Sequence, residues 1–277
     1  YNTCGRAAYI KRFPARSIPS PLHDISRLQR SYLRLWNEWL PPCNRSTCRL
    51  QETKLRRYSA GMDLEDYILS HIDEENPYMA RLYRETNIYL VRSHMASGHL
   101  QGCFLRMVVQ MIRPHRILEI GTYTGYSALC MASALTDNGK IVTYEINDEL
   151  EDFTRTRLEQ SPWAEHIEFR IGDVLKDLDK SERFDMIFID GNKRQYKEYY
   201  EMSLNVLEDG GFILADNTLW DGHVVDSEYD NDAQTQGICA FNDFVAQDKR
   251  VEKVILPLRD GMTLIRVKPK WQQPLAN

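Results

Sequence analysis

The chain has 277 residues, a formal net charge of −5, 43% hydrophobic and 27% charged residues, the balance of a soluble globular protein with one large α/β domain or a domain plus an extension. No apolar run approaches the ~18 residues a transmembrane helix needs, and the initial YNTCGRAAYIKRF lacks the apolar core of a secretory signal. Residues 1–60 carry 12 Lys/Arg against 3 Asp/Glu while the remainder carries 23 against 37, so the larger part is a poor general binder of nucleic acid, whose affinity draws on phosphate contacts.

Residues 1–60 read as a basic N-terminal extension, poorly ordered and outside the catalytic unit: a transit-like peptide, or sequence upstream of a natural start. Within it, residues 22–40 place Leu22, Ile25, Leu28, Tyr32, Leu35, Trp36 and Trp39 near helical spacing, and Pro41-Pro42 ends the pattern. Cys43 and Cys48 form a lone C-x4-C, too little for a zinc site without a second ligand pair. The six cysteines in so long a chain suggest reduced thiols and a cytoplasmic setting.

From residue 61 to 270 the pattern is that of a single catalytic domain, followed by a tail over 271–277. Three amphipathic helices are predicted first, over 62–72, 77–95 and 98–112, the last ended by Pro114. Strands are then predicted over 116–120, 141–145, 167–171, 186–189, 212–215, 251–256 and 263–267. Helices are predicted between them over 126–135, 148–159, 194–207 and 236–247. The central strands are short and almost wholly apolar, as in a parallel sheet covered on both faces. The turn Leu258-Arg259-Asp260-Gly261 lets the last two strands form a hairpin. The expected fold is a doubly wound, mostly parallel sheet with an antiparallel edge, whose ligands bind at the carboxyl ends of its strands.

Those ends carry the chemistry. In LEIGTYTGYSAL (118–129), Gly121 and Gly125 bracket a strand-to-helix turn that lets backbone approach a ligand, while Glu119 is a strand carboxylate that needs a partner. The spacing is not G-x-G-x-x-G, so no dinucleotide fingerprint is present. Glu145 closes VTYE, a place where a carboxylate takes ribose hydroxyls of an adenosine cofactor. Asp173 in FRIGDVL either accepts from an adenine amino group or caps the next helix. MIFIDGNKRQY (186–196) delivers Asp190 and Lys193, and ILADNTLWDG (213–222) delivers Asp216 and Asn217. If those two strands are neighbours, two carboxylates and an amide oxygen converge, a donor set for Mg²⁺ or another hard divalent cation such as Ca²⁺ or Mn²⁺; each residue is also an ordinary cap or turn former.

LEIGTYTGYS, FIDGNK and ADNTLWDG together resemble the cation-dependent O-methyltransferases, the group containing catechol and caffeoyl-CoA O-methyltransferases, over about residues 62–268. The resemblance implies a Rossmann-like class I methyltransferase fold, S-adenosylmethionine as donor, a divalent metal and a homodimer. It implies cofactor contacts at Met95, Ser97, Glu119, Gly121, Thr122, Ser127 and Glu145, to which the strand-end reading adds Asp173 and Asp190 as expected cofactor-binding residues. It further implies metal ligands at Asp190, Asp216 and Asn217 and a general base at Lys193. The chain departs from plant members at Asn192, where they often have Asp, and at Asp221, where they often have Asn. The expected acceptor is a small aromatic molecule with vicinal hydroxyls, because a metal can chelate both oxygens and stabilise the phenolate. Alternatives are a tRNA hydroxyuridine methyltransferase using the same site and a non-catalytic cofactor-binding module.

Overall fold

The structure, a computed structural model, describes residues 63–269. The predicted helix over 22–40, the Cys43/Cys48 pair and the 271–277 tail lie outside the described residues. Three helices come first: α1 (Leu64–Leu69), α2 (Pro77–Tyr89) and α3 (Gly98–Ile112). Alternation follows, with β1 (Arg116–Ile120), α4 (Tyr126–Ala132), β2 (Lys140–Glu145), α5 (Glu151–Glu159) and β3 (Ile167–Ile171). Then come α6 (Val174–Asp177), β4 (Phe184–Ile189), α7 (Tyr196–Val206), β5 (Leu207–Asp216), α8 (Ala233–Gln247), β6 (Val251–Leu256) and β7 (Met262–Val267).

The seven strands form one sheet in the order β3-β2-β1-β4-β5-β7-β6. β7 is antiparallel to both β5 and β6, so the hairpin expected from its tip makes one edge of an otherwise parallel sheet. Alternate strand residues serve opposite faces. Leu118, Ile120, Ile187, Ile189, Ile213 and Ala215 pack with the aromatic residues of α7 and α8. Ile117, Met186, Phe188 and Leu214 pack with Leu105, Val108 and Val109 of α3 and Met131 of α4. Each such buried side chain contributes about 1.5–3 kcal/mol of transfer free energy. This two-sided burial is why the strands read as continuous apolar runs.

Several boundaries differ from those predicted. α2 stops at Tyr89 rather than 95, because Ile88, Tyr89 and Val91 find no core and stand exposed. α4 ends at Ala132, short of 135. The segments expected to be helical from 148 and 194 each begin with a 3-10 turn (Asp148–Leu150, Lys193–Gln195) before the α-helix. α8 starts three residues early because Asp232 caps it by accepting from Thr235 N at 2.8 Å. β5 starts at Leu207 rather than 212, pairing there with Phe184 across an irregular register, so Gly210-Gly211 lies within the strand.

The sheet order reverses at β1, whose neighbours are β2 and β4. Their adjacent carboxyl ends are the crevice expected for a ligand. Gly121 makes that crevice possible: it sits at φ +98°, and a Cβ there would collide with the Asp190 carbonyl. The Asp190 N–H donates to the Ile120 carbonyl at 2.8 Å, locking the two strand ends together.

Candidate active site

The ends of β4 and β5 lie side by side, since Ile189 pairs with Ala215. This register brings Asp190, Lys193, Asp216 and Asn217 into one cluster. The Lys193 Nζ lies 2.8 Å from Asp190 Oδ1 and donates to the Tyr196 hydroxyl at 2.7 Å. Tyr196 in turn donates to the Asp216 carbonyl at 2.9 Å. Lys193 is only 8% exposed, an unusual depth for a lysine, and it is tolerated because a carboxylate and a phenol flank it. Two of its N–H groups are thereby committed.

Asp216 is buried, with one oxygen accepting from the Asn217 N–H at 2.9 Å and the other from the Gln101 amide at 2.5 Å. Burial, then the negative charge of Asp190, pushes its pKa up to about 7, against the opposing pull of Lys193. Burial and the carboxylates of Asp190, Asp216 and Asp260 also hold the Tyr196 hydroxyl firmly protonated. Acidic groups crowded together in this way favour a cation between them. Among the described residues no three His, Cys, Asp or Glu side chains group as a metal cage. Asn217 follows Asp216 directly and adds an amide oxygen to the hard donors at these strand ends. Lys193 engages one oxygen of Asp190. A partial donor set of two carboxylates and an amide suits a hard cation that keeps positions open for other oxygens.

The other expected residues surround the crevice at β1 and β2. Glu119 is fully buried, and the partner it needs is supplied internally: Ser127 Oγ donates at 2.6 Å and Thr143 Oγ1 at 2.5 Å. Burial dominates these bonds and pushes its pKa up to about 8. Thr122 joins the same network, its hydroxyl 2.6 Å from that of Thr143. Glu145 accepts from the Tyr123 N–H at 2.7 Å and the Asn147 N–H at 2.9 Å, so it buttresses the turn after β1 from the end of β2. Asp173 acts as a helix cap, accepting from Leu175 N at 3.1 Å, with the Lys176 ammonium 2.8 Å from its other oxygen.

Met95 is half exposed at the end of the 3-10 turn Ser93–Met95, and Ser97 is buried at the start of α3. The Arg259 guanidinium donates to the carbonyls of Ala96 and Ser97 and, at 3.1 Å, to Gln101 Oε1. Asn192 caps the turn that carries Lys193, accepting from Arg194 N at 3.2 Å. Asp221 stands exposed at φ +51°, beside Trp220. Trp220 lies close to Lys193, whose Nζ is 5.9 Å from its ring centroid.

Sequence reasoning missed Gln101, Thr143, Tyr196, Arg259 and Asp260. A signal existed for Gln101: it falls on the apolar face of α3 at helical spacing from Leu105 and Val108. A buried polar residue in that register needs a partner, and here it is Asp216.

Residues 69–268 match the O-methyltransferase family. Caffeoyl-CoA O-methyltransferase 1 of Zea mays is 36% identical over 219 residues, which are 74% of this chain and 84% of the relative. Tricin synthase 2 of Oryza sativa subsp. japonica is 33% identical, over 73% of this chain and 74% of its own. Among solved structures, an O-methyltransferase from Bacillus cereus in complex with SAH superposes with a TM-score of 0.68 at 29% identity, covering 73% of this chain and 96% of that one. An O-methyltransferase of Streptomyces achromogenes involved in tomaymycin synthesis, solved with SAM, gives a TM-score of 0.67 at 28% identity, over 73% and 94% of the two chains. The seven-stranded sheet with its antiparallel hairpin edge and the extent of these matches lead to one conclusion: the chain belongs to the O-methyltransferase family.

Proposed function

We propose that the protein transfers a methyl group from S-adenosylmethionine to one oxygen of a small aromatic acceptor with vicinal hydroxyls, with a divalent cation held by Asp190, Asp216 and Asn217. The observation that carries this reading is that the adjacent ends of β4 and β5 set Asp190 against a buried Lys193 and put Asp216 and Asn217 directly after the neighbouring strand. Mg²⁺ is the expected cation, with Mn²⁺ or Ca²⁺ as substitutes. Bound there, it would polarise an acceptor hydroxyl and stabilise the phenolate.

Lys193 is the base. In the neutral amine, its two hydrogens go to Asp190 and Tyr196, and the lone pair is left to take the proton of the acceptor hydroxyl. Asp190 and Tyr196 thereby fix the amine in place instead of leaving a flexible side chain to find the proton. Trp220, within cation–π range of that amine, gives the acceptor ring an apolar wall. The cofactor would bind over the turn after β1, where Gly121 allows close approach, held by Met95, Ser97, Thr122, Ser127, Glu119, Glu145 and Asp173. Glu119, neutral while its only partners are hydroxyls, becomes the carboxylate for the ammonium of the methionine portion.

The family resemblance extends the proposal to a homodimer in the cytoplasm. Among the described residues no helix is long and apolar enough to cross a membrane. The tRNA alternative is not favoured by the relatives, several of which are named caffeoyl-CoA O-methyltransferases.

The test is turnover of labelled S-adenosylmethionine with catechol-type and single-hydroxyl acceptors, with and without Mg²⁺. Methylation should require the cation and strongly prefer the vicinal pair. Equal rates on both acceptor types would remove the chelation argument. Activity indifferent to Mg²⁺ and to Asp190→Ala would remove the metal. Methylation of tRNA with none on catechols would replace the acceptor.

A further inference from the structure

Asn217 is the weakest member of the proposed donor set, because its amide has two ends of nearly equal shape and only the oxygen can hold a cation. Something must select the end. The tip of the β6–β7 hairpin does so from 43 residues away: Asn217 Nδ2 donates to Asp260 Oδ2 at 2.6 Å. An ionised carboxylate only accepts, so the end of the amide facing Asp260 is the NH₂. The oxygen is then left for the opposite side.

The hairpin tip is itself fixed against this turn. The Asp260 carbonyl accepts from the Leu219 N–H at 2.8 Å and the Trp220 N–H at 2.9 Å, and the Gly261 carbonyl accepts from the Thr218 N–H at 3.1 Å. Gly261 sits at φ +98°, and any side chain there would strike the Leu219 backbone. Asn217 stands at φ +57°, a left-handed conformation that asparagine tolerates better than most residues. The backbone therefore presents one narrow set of directions for the amide, and Asp260 chooses between its two flips.

We propose that Asp260 is a positioning residue that pins the amide of Asn217 with its oxygen toward the cation. The proposal rests on the metal reading above. Outer partners of metal ligands typically contribute about 10–100-fold in affinity. A carboxylate in place of the amide would need no such selection, since both its ends are oxygen. Beside Asp260, that carboxylate would also add a negative charge that favours a cation.

The test uses Mn²⁺ binding to the full chain, by calorimetry and by the loss of the free-ion EPR signal, in wild type, Asp260→Ala, Asn217→Asp and the double variant. Asp260→Ala should weaken Mn²⁺ by about 10–100-fold. Asn217→Asp alone should bind Mn²⁺ at least as tightly as wild type, and adding Asp260→Ala to it should cost far less than the same change costs in wild type. A purely structural role for Asp260 would cost the same in both backgrounds. In the metal-free protein, nitrogen–proton NMR should show one Asn217 Nδ2 proton displaced by its carboxylate partner, and Asp260→Ala should abolish the displacement. No Mn²⁺ binding to wild type would overturn the metal reading and this role with it. Wild-type binding with an unaffected Asp260→Ala, a loss from Asp260→Ala that is as large in the Asn217→Asp background as in wild type, or an undisplaced Asn217 amide resonance would overturn the inference alone.

Discussion

Glu119→Gln should change how the stability of this protein depends on pH. Glu119 is fully buried among hydroxyls, and its pKa rises from 4.5 to about 8. A carboxyl with a higher pKa in the folded than in the unfolded chain binds its proton more tightly when folded. Its stabilisation is complete below the unfolded value and is lost as pH rises through the folded one. Between those two values the loss is about 1.4 kcal/mol for every pH unit, so from roughly pH 6 to pH 8 this one group removes about 2 kcal/mol of stability. Glutamine keeps the neutral form's shape, can donate toward Thr143 and accept from Ser127, and does not titrate. Urea unfolding of ligand-free wild type and Glu119→Gln at the two pH values isolates the group, because all other titrations cancel in the comparison. The variant should lose less stability than wild type over that interval, by about 2 kcal/mol. Parallel losses would show that Glu119 is ionised already at pH 6 and that its hydroxyl partners outweigh its burial.

The same group predicts proton release on cofactor binding: calorimetry of S-adenosylmethionine in buffers of different ionisation heat should reveal a released proton near neutral pH, absent in Glu119→Gln. Lys193→Met should lower turnover by about 10²–10⁴ at neutral pH while leaving S-adenosylmethionine and Mg²⁺ binding nearly intact. Raising the pH should partly restore its rate, and near wild-type turnover at neutral pH would show that Lys193 is not the base. Gln101→Leu leaves a buried oxygen of Asp216 without its donor, which should cost about 1–3 kcal/mol in urea unfolding and weaken Mn²⁺ binding; unchanged values for both would show that the contact is idle. A chain beginning at Met62 should keep its turnover, and a large loss would show that residues 1–60 belong to the catalytic unit.

The sequence alone determined the architecture, because each strand is a local statement. A run such as MIFI is apolar at every position only when both faces are covered, and β4 is buried almost throughout. It also determined which residues stand at strand ends, since Asp190, Lys193, Asp216 and Asn217 each follow closely on an apolar run. Capping was left open locally: Asp173 could be read as cap or ligand, and in the fold it accepts from Leu175 N. Helix ends were less legible, because propensity continues past the point where a core runs out, as at Ile88–Val91.

Only the tertiary structure decided who answers those residues. Gln101 meets Asp216 across 115 residues, Thr143 meets Glu119 across 24, and Asp260 meets Asn217 across 43. None of these pairs has a periodicity or spacing that betrays it. They exist because β1 lies between β2 and β4, and because β7 enters the sheet beside β5 in the antiparallel sense, setting its preceding turn against the end of β5. Local pattern specifies which face of an element is buried, whereas the partner of a buried polar group is set by the strand order that packs distant elements together.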